Sequence, residues 1–163
     1  MILEIFKKEH CEEYIINHSF AVCNKALEIA KHFSNVDMEL VKIGALLHDI
    51  GRCKTNSVFH GVEGAKLAKK YGYSDAVVNI IERHIGAGIS EKEAIKIGLP
   101  KKSYIPKTLE EKIVAHSDNL INGTREVDIN FVIDKWENKI ENPKENIKRL
   151  KKLNQELVES FEN

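Results

Sequence analysis

One apolar run ends in two bare ligand side chains, and that constrains this chain more than any other feature. Residues 44–52 read Gly-Ala-Leu-Leu-His-Asp-Ile-Gly-Arg, so small and apolar positions lead straight into His48 and Asp49. A carboxylate carried inward on such a run needs a charged or hydrogen-bonding partner, because burying it alone costs about several kcal/mol. The pair therefore invites a search for what neutralises it elsewhere in the chain. The ligand-type residues available are His18, His60, His84 and Asp118.

Nearly every segment repeats its apolar residues at intervals of three and four, and strict alternation is absent. That spacing predicts an all-α, single-domain bundle over residues 1–163, with about seven to nine helices. The expected helices run over about 3–8, 12–33 and 38–50, the last closed by Gly51, and then over 60–71 and 75–85. Ser90 and Glu93 form a capping box for a short helix to Ile97. Thr108 and Glu111 form a second box, opening a helix to about Ile121 that Gly123 ends. A further helix covers about 129–136. Asn142-Pro143 reads as an N-cap with proline at the first helical position. The last helix carries Ile147, Leu150, Leu153, Leu157 and Phe161, a stripe that packs on the domain or forms a homodimer interface.

These helices place the ligand-type residues on inward faces. His18 stands on the stripe of Ile15, Val22, Ala26 and Ile29. His60 heads its helix, His84 ends another, and Asp118 shares a face with Val114 and Ile121. Imidazole and carboxylate donors suit Mn, Fe, Co, Ni or Zn. A cluster drawn from several helices is how helical proteins build metal sites. His116, two residues before Asp118, points elsewhere and reads as a core histidine, while His10 and His32 read as surface positions.

Charge and cysteine content narrow the function. Lys and Arg number 25 and Asp and Glu number 25, so the chain lacks the basic excess of a general nucleic-acid binder. No apolar run approaches ~18 residues, so no membrane span is expected. The first residues do not resemble a secretory leader. Cys11, Cys23 and Cys53 are odd in number and widely spaced, which reads as reduced thiols in a cytoplasmic protein and excludes a Cys-rich zinc site.

The order His18, His48-Asp49, Asp118 resembles the HD-domain superfamily of helical, metal-dependent phosphohydrolases. His48-Asp49-Ile50-Gly51 matches the signature of its HDIG subgroup. His60, in His-Gly-Val-Glu-Gly-Ala, and His84, in Ile-Ile-Glu-Arg-His, look like the further ligands of two-metal members. The layout is similar to that of HD enzymes that hydrolyse dinucleoside tetraphosphates. The resemblance covers about 11–122 and leaves 123–163 as a C-terminal helical extension.

The resemblance implies one metal on His18, His48, Asp49 and Asp118. It implies a second on His60 and His84, with Asp49 as the bridge. Water activated at the metals would attack a small phosphate ester or nucleotide, so no nucleophilic serine or cysteine is needed. Arg52 reads either as a contact to substrate phosphate or as a surface ion pair, and Lys54 and Arg83 are weaker candidates for the same phosphate role. Gly86, Gly88 and Lys101, Lys102 and Lys107 read either as a basic rim or as a solvated connection. Two other functions fit the same residues: a two-iron oxygenase of this superfamily, and a non-catalytic ligand-binding module.

Overall fold

The computed structural model describes residues 1–162. Among them the chain forms nine α-helices: α1 (Ile2–Lys8), α2 (Glu13–Ala30), α3 (Met38–Leu47), α4 (His60–Lys70), α5 (Asp75–Glu82), α6 (Glu91–Ile97), α7 (Leu109–Asn119), α8 (Ile129–Lys139) and α9 (Lys144–Leu157). A 3-10 turn at Ile50–Cys53 follows α3, and another at Glu159–Phe161 follows α9. The fold class is all-helical, as the periodicity requires. A small antiparallel hairpin of β1 (Ile121–Asn122) and β2 (Arg125–Glu126) is the one departure among the described residues.

Helices α2, α3 and α7 make the centre. On α2 the buried residues include Ile15, Ser19, Val22, Ala26 and Ile29, the three-and-four spacing that sets one face of a helix inward. Small residues let the neighbours come close. A Cβ on Gly44 of α3 would lie 2.7 Å from the Ile80 side chain of α5, so any other residue there would force that side chain to shift. Leu150, Leu153 and Leu157 of α9 join the same core as Val22, Val41 and Ile113. The C-terminal stripe thus packs on the domain. Each fully buried Leu or Ile contributes about 1.5–3 kcal/mol, which is what holds a polar centre together around buried charge.

Several helix ends differ from expectation. Helix α3 stops at Leu47, and Gly51 lies inside the following 3-10 turn, not at a helix C-terminus. Its requirement is space: a Cβ there would lie 1.8 Å from the His60 carbonyl oxygen. Helix α5 ends at Glu82 and leaves His84 in the turn beyond it. Gly123 sits in the two-residue hairpin loop with φ +67°, a position where glycine is favoured. The Ser90–Glu93 box forms in full. The Thr108 box forms by half, because the Glu111 carboxylate turns to Arg83 and to the Lys107 amide. Pro143 itself occupies the N-cap of α9, one residue later than expected, and Asn142 takes φ +54°.

The reading of all three cysteines as thiols is overturned. Cys11 and Cys53 form a disulfide, and only Cys23 is free and buried. The bond joins the segment before α2 to the turn after the His-Asp pair, 42 positions apart in sequence, a pairing that no local spacing reveals. Among the described residues, no helix is long and apolar enough to cross a membrane.

His116 of α7 is fully buried, and its Nε2–H donates to Asn154 Oδ1 of α9 at 2.9 Å. Burial pushes its pKa down to about 4 from an ordinary 6.5. The unfolded chain therefore takes up this proton first, and stability present above pH 6.5 is lost as pH falls towards 4. The full effect is on the order of 3 kcal/mol. In urea denaturation of chelator-treated protein, His116→Gln should lose less stability between pH 7 and pH 4.5 than the parent chain. Equal slopes for the two would remove His116 as the cause.

Candidate metal centre

Five separate segments converge on Asp49. Helix α2 brings His18, the end of α3 brings His48 and Asp49, the first residue of α4 is His60, the turn after α5 carries His84, and α7 carries Asp118. The departure of the chain from helical geometry at Asp49, with φ −99° and ψ 11°, separates its direction from that of His48. Gly51 then lets the turn lie directly against the start of α4, so that His60 reaches Asp49. All six residues are brought together. His48, Asp49, His60 and His84 are buried, and His18 and Asp118 form the more open side.

Each of the four imidazoles is oriented in the same way. Nδ1–H donates to a backbone carbonyl: His18 to Gly123 at 2.6 Å, His48 to Ala45 at 2.7 Å, His60 to Ser57 at 2.8 Å and His84 to Ile81 at 2.6 Å. A carbonyl can only accept, so every Nδ1 carries a proton and every Nε2 faces the centre. His60 and His84 Nε2 each lie 3.3 Å from Asp49 Oδ1. His18 and His48 Nε2 lie 3.7 and 3.6 Å from Asp49 Oδ2, and 2.9 and 3.4 Å from Asp118 Oδ1. The two oxygens of Asp49 thus face two different pairs of histidines.

Charges in the cluster shift one another. Burial opposes ionisation of Asp49, but the His48 charge, with the His60 and His84 rings 3.3 Å from Oδ1, holds its carboxyl well below the usual range. Asp118 is likewise held down against burial, by the His48 charge and the His18 hydrogen bond. Burial works against protonation of His48, yet the two carboxylates raise it to about 9. His18 is raised by Asp118 against its own burial, while burial lowers His84.

The donor set fits divalent metal. His48 Nε2 is buried with no hydrogen-bond partner among the described residues. His60 and His84 turn Nε2 to Nε2 at 3.1 Å, which for neutral rings sets lone pair against lone pair. A proton or a cation between them removes that repulsion. His18, His48 and Asp118 offer ligand atoms within 4.8 Å of one another, and so do His48, Asp49 and His84. Donation of Nδ1–H to a carbonyl is also how metal-bound histidines are commonly held.

A cavity of about 820 Å³ opens above this cluster, with His18, Asp49, His60 and Asp118 in its floor. Arg52 lines it, and its Nε donates to Asp49 Oδ2 at 2.9 Å. Lys54 and Arg83 lie elsewhere: Lys54 pairs with buried Glu9 at 2.7 Å and Arg83 with buried Glu111 at 2.8 Å. Gly86 and Gly88 line the cavity, but Lys101, Lys102 and Lys107 do not, and Lys102 pairs with Glu82. Instead α8 supplies the wall, through Phe131, Val132, Lys135, Trp136 and Lys139. Sequence reasoning missed this wall. The available signal was the row Phe131, Lys135, Lys139 beside the row Val132, Trp136, each at a spacing of four.

The HD domain family model matches residues 15–123, and the chain belongs to the HD-domain family. An uncharacterized protein of Methanocaldococcus jannaschii is 49% identical over 154 residues, which are 92% of this chain and 91% of that protein. A tRNA (cytidine(56)-2'-O)-methyltransferase of Picrophilus torridus is 47% identical over 155 residues, 95% of this chain. The chain spans 45% of that longer protein. The HD domain of the L. monocytogenes phosphodiesterase PgpH shares the fold, with TM-score 0.59 and 17% identity, covering 98% of this chain and 96% of that one. The same domain in complex with cyclic-di-AMP gives TM-score 0.58.

Gly51→Ala tests how the site is assembled. The new Cβ meets two backbone atoms, the His60 oxygen at 1.8 Å and the Gly64 nitrogen at 2.5 Å, and neither can move without displacing α4. Thermal or urea denaturation should show a loss of about 2 kcal/mol or more. Elemental analysis should show metal content reduced below that of the parent protein. Full metal content and unchanged stability would mean that the approach of the turn to α4 is not needed.

Proposed function

We propose that this protein is a metal-dependent phosphohydrolase that cleaves a small phosphate ester or nucleotide. The observation that carries the reading is the common orientation of four imidazoles, each anchored through Nδ1–H and presenting Nε2 to two carboxylates. The HD-domain family is that of the chain, and a domain of the same fold is described as a phosphodiesterase and as a complex with cyclic-di-AMP. Both support phosphate chemistry on a nucleotide. We place the catalytic core at about 11–122, with 123–163 as its helical extension.

In this reading His18, His48, Asp49 and Asp118 would hold one divalent ion, of Fe, Mn, Ni, Co or Zn, and His60 and His84, with Asp49, would hold a second. Such ions lower the pKa of water toward neutrality and polarise a phosphoryl oxygen. The chain's own groups do the rest. Backbone carbonyls keep the four rings in one tautomer. Asp49 joins the two halves of the site. Arg52, in the cavity wall, exchanges its contact with Asp49 for a substrate phosphate oxygen, a planar donor suited to that anion.

Protein purified without chelators should contain about two metal equivalents by elemental analysis and hydrolyse a phosphate ester such as bis(p-nitrophenyl) phosphate. Asp49→Ala should lose metal and turnover together. Turnover equal to that of the parent protein in this variant would rule out the site. Metal uptake also competes with protons. Asp49 and Asp118 raise the His48 pKa to about 9 against its burial, which favours the protonated ring at pH 8, and a metal bound there displaces that proton. Affinity should rise with pH up to about 9, and calorimetry at pH 8 in buffers of different ionisation enthalpy should detect a proton released on binding. The absence of any proton release would show that metal binding displaces no proton from His48.

A further inference from the structure

The α8 wall lies outside the part of the chain matched by the family model, residues 15–123, yet it faces the candidate centre across the same cavity. Two rows of the helix point into it. Val132 and Trp136 form one, and Phe131, Lys135 and Lys139 form the other, each at a spacing of four residues. The apolar row is anchored, because Val132 is buried in the main core and Trp136 packs against that core while keeping part of its surface open.

The position of the indole is tied to the centre. The far edge of the Trp136 ring lies 3.7 Å from where a Cβ on Gly86 would stand. Gly86 is two residues beyond His84, a span of at most about 7 Å. The indole is therefore within reach of one nucleotide whose phosphate meets the histidine cluster. Lys135 and Lys139 are exposed, and neither takes a carboxylate partner among the described residues. Of the acidic side chains above the floor, Glu93 is held by Arg149 at 2.8 Å and Glu141 is exposed. A half-open aromatic face with unpaired ammonium groups one row away suits a base together with a phosphate. The cavity, about 820 Å³, lies in the upper part of the ~300–1,000 Å³ range of small-molecule sites.

We propose that α8 selects the substrate: Trp136 stacks on the base of a nucleotide whose phosphate meets the centre, and Lys135 and Lys139 receive a further phosphate group. The inference rests on the phosphohydrolase reading for the position of the first phosphate.

Trp136 is the sole tryptophan, so its fluorescence reports stacking without any substitution. Stopped-flow mixing reads binding before turnover. Adenosine monophosphate should quench the emission saturably, and ribose 5-phosphate, which has no base, should not. By calorimetry, Trp136→Ala should bind adenosine monophosphate about tenfold more weakly, and Trp136→Phe should restore binding to within about threefold. Adenosine diphosphate should bind at least about fivefold tighter than the monophosphate, and the Lys135→Ser/Lys139→Ser double variant should lose that preference. Equal quenching by the base-free sugar phosphate, or unchanged affinity in Trp136→Ala, overturns the stacking. An unchanged diphosphate preference overturns the lysine role. Hydrolysis of bis(p-nitrophenyl) phosphate by the parent protein separates the two readings. Turnover without base-dependent quenching refutes the wall alone, and quenching without turnover upholds the wall while refuting the hydrolase.

Discussion

A nearly buried carboxylate, Asp49, sits among four imidazoles and a guanidinium, and the rest of the architecture depends on satisfying it. Its two oxygens face different partners, His60 and His84 on one side and His18, His48 and Arg52 on the other. Removing any one partner would leave buried charge less compensated, which is costly in a low-dielectric interior. The apolar packing of α2, α3, α7 and α9 offsets that cost. The five elements bearing the site residues are therefore held in register by a polar cluster that their own packing stabilises.

Rigidity at this centre comes from backbone groups. The carbonyls of Ala45, Ile81 and Ser57 lie three residues before the histidines they orient, so each ring is fixed by its own turn of chain. His18 differs. Its partner is the carbonyl of Gly123, 105 residues away in the hairpin loop. The hairpin thus reaches back to the metal-type cluster and leads directly into α8, the wall of the cavity above. Arg149 of α9 adds a second tie, donating to the Gly88 carbonyl and to Glu93 and so joining the last helix to the loop after His84.

Much of this was legible before any fold was known. Helical spacing placed His18 on the inner stripe of α2 and Asp118 on the inner face of α7, and capping chemistry located α6. The exceptions share a cause. Gly51 looked like a helix stop because glycine often is one, but its reason is the close passage of α4. Glu111 looked like half of a capping box, but Arg83 from another element donates from Nη1 to both of its carboxylate oxygens. Lys54 and Arg83 looked available for phosphate until Glu9 and Glu111 paired with them. In each case a long-range partner outweighed a sound local preference.

Periodicity, caps and the identity of the ligand-type side chains are local properties. They are written into intervals of three and four residues, which is why the helical class and the inward placement of His18 and Asp118 could be read from the chain alone. The assignment of each Asp49 oxygen to one pair of histidines is not local. Neither is the Cys11–Cys53 bond, the anchoring of His18 by Gly123, or the facing of α8 toward the cluster. These depend on the relative placement of segments up to 105 residues apart, and that placement is set by the packing of whole helices and not by any neighbouring residue.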